Sequence, residues 1–131
     1  MNPTIMNNQS LINVTPFSFI GQDERGTTAE ITIERSGKAL SIFRKEGTVF
    51  GNHYHSGSEP TKNPEIFWLL HGALKVEYRS IHATNWEEVE IIGPTKVDFY
   101  PNVIHRVTAL SDAYMLELNS LQAHIDDTHR D

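Results

Sequence analysis

The sequence predicts an all-β protein with a single domain. Short segments rich in β-branched and aromatic residues recur about every ten residues, a spacing typical of antiparallel sandwiches and barrels. Turn-forming glycine, proline, asparagine and serine separate these segments, and no stretch between them has the length and periodicity of a long helix. With 131 residues and no cysteine, the chain can bury a core of its own without disulfides.

The first predicted strands are separated by glycine turns. Near-alternation of apolar and polar residues indicates each strand, because successive side chains of a strand point to opposite faces. The longest gap, Ser56 to Pro64, contains turn residues throughout and is expected to be an enlarged hairpin loop. The first five predicted strands are Ala29 to Glu34, Ala39 to Lys45, Thr48 to His55, Glu65 to His71, and Ala73 to Arg79.

The second half of the chain follows the same pattern, with turns at Gly93-Pro94, Pro101-Asn102 and Ser111-Asp112. We therefore expect a barrel over residues 23–119. The segment 1–22 is expected to join the barrel or a dimer contact, and the polar tail 120–131 to form a short helix or to fray. The remaining predicted strands are Glu87 to Ile92, Lys96 to Tyr100, His105 to Leu110, and Tyr114 to Asn119.

Two histidines on one predicted strand indicate a metal site. His53 and His55 are two residues apart, so an extended backbone places both imidazoles on the same face. A carboxylate from Glu65 and a third imidazole from His105 would complete a set of three nitrogens and one oxygen. Such a set suits one divalent transition metal, Zn, Fe, Mn, Ni or Co, rather than Ca or Mg.

This arrangement resembles the first motif of the cupin superfamily. That motif has a glycine, five residues, His-x-His, a spacer, a glutamate, six residues and a glycine, and both fixed spacings match here. The spacer of nine residues is longer than the family usually has. The matching residues are Gly47, His53, His55, Glu65 and Gly72.

The segment from Tyr100 to His105 resembles a degraded second cupin motif. Asn102 stands where the family has glycine, and asparagine is the best substitute for glycine at positive φ. Ala109 stands where the motif usually ends in asparagine. The resemblance implies a single cupin barrel, that is, a double-stranded β-helix or jelly roll of the small RmlC-like type, and a homodimer.

The other histidines and the aromatic residues are interpreted separately. His71 is expected to end a strand, whereas His82, His124 and His129 are expected in solvent-exposed loops or tail. Phe67 shares a strand face with Glu65, so Phe67 and Tyr100 are candidates for substrate contacts. Either Phe67 or Trp68 must face the barrel interior, and the other faces its outside or a partner subunit.

A second resemblance rests on Asp-Glu-Arg-Gly at residues 23–26 together with the Gly47 to His55 run. It is similar to cupins that act on nucleotide-linked sugars, the 3,5-epimerases and 3,4-ketoisomerases. By this resemblance Arg25 would contact phosphate and His53 or His55 would be the general base. Phe50 departs from the pattern, because those cupins usually carry arginine there to grip phosphate. They also generally work without metal, and a metal-bound histidine is not free to act as a base.

Three functional hypotheses remain open. The first is a metal-dependent enzyme, an isomerase or dioxygenase of a small oxygenated metabolite, in which the ion polarises the substrate oxygen. The first alternative is a sugar-nucleotide epimerase or 3,4-ketoisomerase without catalytic metal, supported by residues 23–26 and opposed by Phe50 and Glu65. The second alternative is a noncatalytic small-molecule or metal-binding module.

Composition excludes some partners. The net charge of −6, without basic clusters, argues against nucleic acid and anionic membranes as partners. No apolar run approaches membrane-spanning length, and Met1 to Ser10 lacks the features of an export leader. We therefore expect a cytoplasmic protein with a small-molecule substrate.

Overall fold

The computed structural model describes residues 11–131, and strands occupy most of that range. One short helix, α1 (Leu121–Asp126), follows the last strand of the described range. No helix within residues 11–131 has the length and apolar composition that a membrane crossing requires. The predicted all-β class is confirmed. The strands are β1 (Ile12–Pro16), β2 (Phe19–Asp23), β3 (Gly26–Ala29), β4 (Leu40–Arg44), β5 (Val49–His53), β6 (Glu65–His71), β7 (Ala73–Ser80), β8 (Glu87–Ile92), β9 (Thr95–Phe99), β10 (Val103–Ala109) and β11 (Ala113–Glu117).

The strands form two larger antiparallel sheets and one separate hairpin. The five-stranded sheet has the order β1-β9-β6-β11-β4, and the four-stranded sheet has the order β5-β10-β7-β8. Within the described range, β2 and β3 pair only with each other. Because β5 and β6 lie in different sheets, residues 56–64 cross from one sheet to the other. The prediction of an enlarged hairpin loop at this place is wrong.

Apolar side chains from both larger sheets form one core. Phe67 points into it, whereas its neighbour Trp68 packs on the other face of β6 with Ile66 and Leu118. The ring of Phe17 meets Trp68 edge-on at a centroid distance of 6.2 Å. Trp68 is only 8% exposed, so the alternative of an exposed aromatic on a dimer face does not apply to it. The core residues are Ile12, Phe67, Leu69, Leu74, Val76, Ile91, Val97, Phe99, Val103, Val107, Ala109, Ala113 and Met115.

The prediction of a strand from Ala29 to Glu34 is wrong. Residues 30–36 have no regular secondary structure, and Ile31 and Ile33 stay exposed because no neighbouring strand covers them. The segment before them instead contains β1, which pairs with β9, and the hairpin of β2 and β3. The other eight predicted strands match β4 to β11 within two residues at each end. Of the predicted segment 1–22, residues 1–10 lie outside the described residues.

The backbone geometry of two turns explains why two motif positions carry glycine and asparagine. Gly72 has a φ of 102°, and a Cβ there would lie 2.3 Å from the Asp112 carbonyl oxygen, so only glycine fits between β6 and β7. Asn102 has a φ of 63°, as expected for a residue that replaces glycine. Its backbone N–H donates to the His55 carbonyl at 2.7 Å. This hydrogen bond connects the second motif to the first.

Candidate active site

A cavity of about 320 Å³ lies between the two larger sheets. This volume is at the lower end of the range of small-molecule sites. Phe50, Phe67 and other apolar side chains form much of its wall. Glu65 and His105 are buried at the cavity, whereas Arg44 is partly exposed. The charged and imidazole side chains that line it are Arg44, His53, Glu65, His105, Glu117 and His124.

The pairing of β5 with β10 places His53 directly opposite His105. Their ring centroids are 4.8 Å apart. The register shifts just after His105, and at this bulge Gly51 adopts a φ of 83°, where a Cβ would lie 3.1 Å from the His105 carbonyl oxygen. Glycine at position 51 therefore permits the close approach of the two strands. Phe99 stacks on the His105 ring at a centroid distance of 3.9 Å, which restricts the ring plane.

Glu65 begins β6 and brings a carboxylate from the opposite sheet. Its Oε2 lies 2.9 Å from His55 Nε2, and its Oε1 lies 3.5 Å from His105 Nε2. His53, His55 and His105 each have a ring nitrogen within 4.8 Å of the others, and Glu65 groups in the same way with His55 and His124. The structure thus brings together the four residues that the sequence singled out, and adds a fourth imidazole.

Hydrogen bonds orient two of the imidazoles. His55 Nδ1 contacts the Asp127 carbonyl oxygen at 2.6 Å, and His105 Nδ1 contacts the Val103 carbonyl oxygen at 3.2 Å. A carbonyl only accepts, so each Nδ1 carries the proton and donates it. Each Nε2 therefore faces Glu65. His55 Nε2 is buried and lacks a well-aligned hydrogen bond despite its proximity to the carboxylate.

Burial sets the protonation of the site. It lowers the pKa of His53 to about 3 and the pKa of His105 to about 4, so both rings are neutral at pH 7. For Glu65, burial alone would raise the pKa, but the close contact with His55 and the positive charge of Lys62 outweigh burial. The pKa of Glu65 stays well below its ordinary value, and its carboxylate is ionised.

Lys62 is a member of the site that the sequence analysis missed. Its side chain is fully buried, and its Nζ contacts Glu65 Oε2, Glu117 Oε2 at 3.1 Å and His124 Nδ1 at 2.9 Å. His124 lines the cavity, so the prediction that it is a solvent-exposed tail residue is wrong. A lysine among turn residues looks exposed from sequence, and its partners come from β6, β11 and α1. No local signal could have identified it.

The C-terminal tail is ordered around Asp127, whose carboxylate is fully buried. It accepts hydrogen bonds from the backbone N–H groups of Ser56, Gly57 and Glu59 at 2.7, 2.9 and 3.2 Å, and from the Ser56 hydroxyl at 2.8 Å. His129 Nε2 also contacts this carboxylate at 2.9 Å, so His129 is not a free loop residue. The tail therefore holds the first part of the loop 56–64 in place and does not fray.

The three predicted substrate contacts have different outcomes. Phe67 lines the cavity. Tyr100 does not line it, because its hydroxyl turns to Asn13 Nδ2 at 2.7 Å. Arg25 lies in the turn between β2 and β3, where its 85% exposed side chain pairs with Asp23 and does not line the cavity. Neither Arg25 nor Tyr100 lines this cavity, and their roles in substrate binding stay predictions.

The donor set fits a metal ion in part. The three clustered imidazoles and the unsatisfied His55 Nε2 are what a transition metal requires. Glu65 fits less well, because its Oε2 already contacts the Lys62 ammonium. The imidazoles can therefore bind an ion, but the ammonium of Lys62 competes with that ion for the carboxylate of Glu65.

Comparisons with known proteins agree with this architecture. No protein-family model matches the chain, and no curated protein matches it. A double mutant of QdtA, a 3,4-ketoisomerase from Thermoanaerobacterium thermosaccharolyticum in complex with TDP, is similar over 94% of this chain and 89% of its own, with 18% identity and a TM-score of 0.68. WlaRB, a TDP-quinovose 3,4-ketoisomerase from Campylobacter jejuni, shares 16% identity over 92% of each chain with a TM-score of 0.66.

An epimerase structure is similar as well. RmlC from Legionella pneumophila, a dTDP-6-deoxy-D-glucose-3,5-epimerase in complex with dTDP-4-keto-L-rhamnose, shares 15% identity over 92% of this chain and 72% of its own, with a TM-score of 0.65. At such identities the likeness concerns the fold. Together with the observed sheets, it confirms the resemblance that the two motifs indicated: this chain has the RmlC-like cupin fold.

Proposed function

We propose that this protein is an isomerase or epimerase that moves a proton beside the keto group of a sugar carried on a nucleoside diphosphate. The observation that carries the proposal is His53, whose imidazole lines the cavity opposite His105 on the neighbouring strand. A keto group acidifies the neighbouring C–H, so one well-placed imidazole can remove the proton. The fold likeness to 3,4-ketoisomerases and a 3,5-epimerase supports this reaction class.

In the proposed reaction, His53 removes the proton from the carbon beside the carbonyl, and the electron pair of that C–H bond forms an enolate. The negative charge of Glu65 favours the resulting imidazolium, since it acts to raise the pKa of His53. Return of a proton to the same carbon from the other face inverts that centre. To move the keto group by one carbon, the hydroxyl on the deprotonated carbon passes its proton to the enolate oxygen, and the His53 imidazolium returns its proton to the former carbonyl carbon.

Arg44 is the cavity residue that we assign to the diphosphate. Its guanidinium lies 4.9 Å from the centre of the Phe50 ring and is partly exposed at the cavity. Guanidinium groups bind phosphate through paired hydrogen bonds. Position 50 lacks the arginine usual in sugar-nucleotide cupins, and β4 supplies one next to it.

The test is hydrogen exchange on a keto sugar. The protein is incubated with dTDP-4-keto-6-deoxyglucose in D2O, and proton NMR follows the positions beside the carbonyl. We expect exchange with the wild type and a loss of about 100-fold or more in the His53→Ala variant. His71→Ala, at the exposed end of β6, is the control and should exchange normally. Binding of dTDP without any exchange would contradict an isomerase and favour the noncatalytic module.

A metal-dependent isomerase or dioxygenase is the second candidate, and the unsatisfied His55 Nε2 is the observation that favours it. His53, His55 and His105 would hold the ion, which when bound would act as a Lewis acid on a substrate oxygen. Elemental analysis of untagged protein purified without chelators tests this. Close to one ion per chain supports this candidate, and no ion after reconstitution contradicts it.

We also propose that the chain forms a homodimer through its N-terminal hairpin. Two-stranded hairpins are marginally stable alone in water. Phe19 and Ile20 of β2 are 43% and 69% exposed, and Ile33 beyond β3 is 68% exposed. A second copy would cover these side chains. Light scattering coupled to gel filtration should give a dimer mass, and Ile20→Asp should shift it towards the monomer. A monomeric wild type at micromolar concentration would contradict the proposal.

A further inference from the structure

Lys62 is a fully buried cation that the proposed reaction does not use. It belongs to the nine residues that separate His55 from Glu65, and its side chain is 0% exposed. Lysine is almost never fully buried unless it is paired. Its ammonium has three donors, and three acceptors surround it: Glu65 Oε2, Glu117 Oε2 and His124 Nδ1.

These contacts offset part of the negative charge of the site. Glu65 and Glu117 are 3% and 12% exposed, and the charge of Glu65 acts to raise the pKa of Glu117. The neutral rings of His53 and His105 add no positive charge to offset them. Lys62 lies between the two carboxylates and contacts both. The chain thus carries a cation of its own beside the histidine cluster.

The same contact occupies a metal-ligating atom. Glu65 Oε2 lies 2.9 Å from His55 Nε2 and also contacts Lys62 Nζ. An ion bound to this oxygen and to His55 would therefore lie next to the ammonium and be repelled by it. Glu65 Oε1 faces His105 Nε2 at 3.5 Å and can still reach an ion, but the ammonium on Oε2 offsets the charge of the carboxylate and repels the ion, which weakens Glu65 as a ligand.

We propose that Lys62 is a specificity-determining residue, an internal cation that keeps Glu65 out of a metal's ligand set and lets the site work without a resident ion. The second part rests on the proposed function, whereas the first concerns metal affinity alone. Replacing Lys62 by a neutral side chain should therefore create a four-ligand site from His53, His55, Glu65 and His105.

The test is calorimetric titration of CoCl2 into metal-stripped protein at pH 7.5, with the visible spectrum of Co²⁺ as a second readout. We expect Lys62→Met to bind Co²⁺ at least tenfold more tightly than the wild type. The double variant Lys62→Met with Glu117→Gln should do the same, because it loses one charge of each sign and keeps the net buried charge of the wild type. Lys45→Met, at an exposed position just after β4, is the matched control and should leave the affinity unchanged. Folded Lys62 variants with wild-type affinity would overturn the proposal.

A variant of Glu65 tests the proposal if the Lys62 variants do not fold. Glu65→Gln in the otherwise wild-type chain leaves Lys62 paired with Glu117. We expect its Co²⁺ affinity to stay within twofold of the wild type, because Glu65 is not a ligand while Lys62 is present. A tenfold loss would overturn the proposal. Hydrogen exchange on the keto sugar with the same samples tests the proposed function separately, since wild-type protein without exchange could still show the expected metal affinities.

Discussion

The buried carboxylate of Asp127 offers a sharp test of how the C-terminal tail is held. We predict that Asp127→Asn destabilises the protein, although the substitution preserves size and shape. In the wild type, Oδ2 accepts the backbone N–H groups of Gly57 and Glu59 at 2.9 and 3.2 Å. The asparagine amide can keep one oxygen facing Ser56, but its NH2 group then faces these two donors and cannot accept from them.

The magnitude follows from the two lost bonds. A hydrogen bond to a charged group contributes about 1.5 to 3 kcal/mol, and a buried donor left without a partner costs a similar amount. Because Asp127 is fully buried, solvent does not replace the lost acceptor. The free energy of unfolding should therefore fall by about 3 to 5 kcal/mol, a large share of the roughly 5 to 15 kcal/mol typical of a domain.

Urea unfolding followed by tryptophan fluorescence and circular dichroism measures this change. The matched control is Asp126→Asn, because the Asp126 side chain is exposed and contacts only Gln122 of its own helix, at 2.7 Å, among the described residues. The control should change the unfolding free energy by less than about 0.5 kcal/mol. Equal and small effects of the two substitutions would refute the assigned role of the Asp127 carboxylate.

The pH dependence gives a second readout of the same prediction. Although burial acts to raise the pKa of Asp127, its hydrogen bonds with the loop lower it well below the ordinary value. A depressed folded pKa stabilises the protein above the unfolded pKa of about 3.9, and this stability is lost as the pH falls further. The stability difference between wild type and Asp127→Asn should be constant near neutral pH and shrink below about pH 4.

Three further predictions concern a turn, the cavity and the histidines. Gly72→Ala should lower the unfolding free energy by more than about 2 kcal/mol, measured in urea, because its Cβ would lie 2.3 Å from the Asp112 carbonyl oxygen. Arg44→Ala should weaken dTDP binding in calorimetry by about tenfold or more, whereas Lys45→Ala should not. Because the pKa values of His53 and His105 are lowered to about 3 and about 4, the folded protein resists their protonation. Stability should therefore fall as the pH drops below about 6.5, and fall less in His105→Gln; a pH-independent urea midpoint between pH 7 and 4.5 would contradict this.

Local sequence patterns predicted much of the architecture. Strands β4 to β11 were predictable because each has its own alternation and its own turn residues at the ends. Gly72 and Asn102 were recognisable because backbone geometry in their turns restricts the residue types. The stretch Ala29 to Glu34 shows the limit of this reasoning, since its alternation is that of a strand but no neighbouring strand pairs with it.

Some residues of the candidate site were likewise predictable from local sequence patterns, and others were not. The spacing of His53 and His55 is local, and Glu65 and His105 follow from motif spacing, so the sequence alone identified four of the residues that meet. Lys62, Glu117, His124 and Asp127 had no such pattern. Their contacts join residues far apart in sequence, 55 between Lys62 and Glu117 and 72 between His55 and Asp127. Burial of a lysine depends on acceptors brought from other strands and from α1, and only the tertiary structure decides which charges meet.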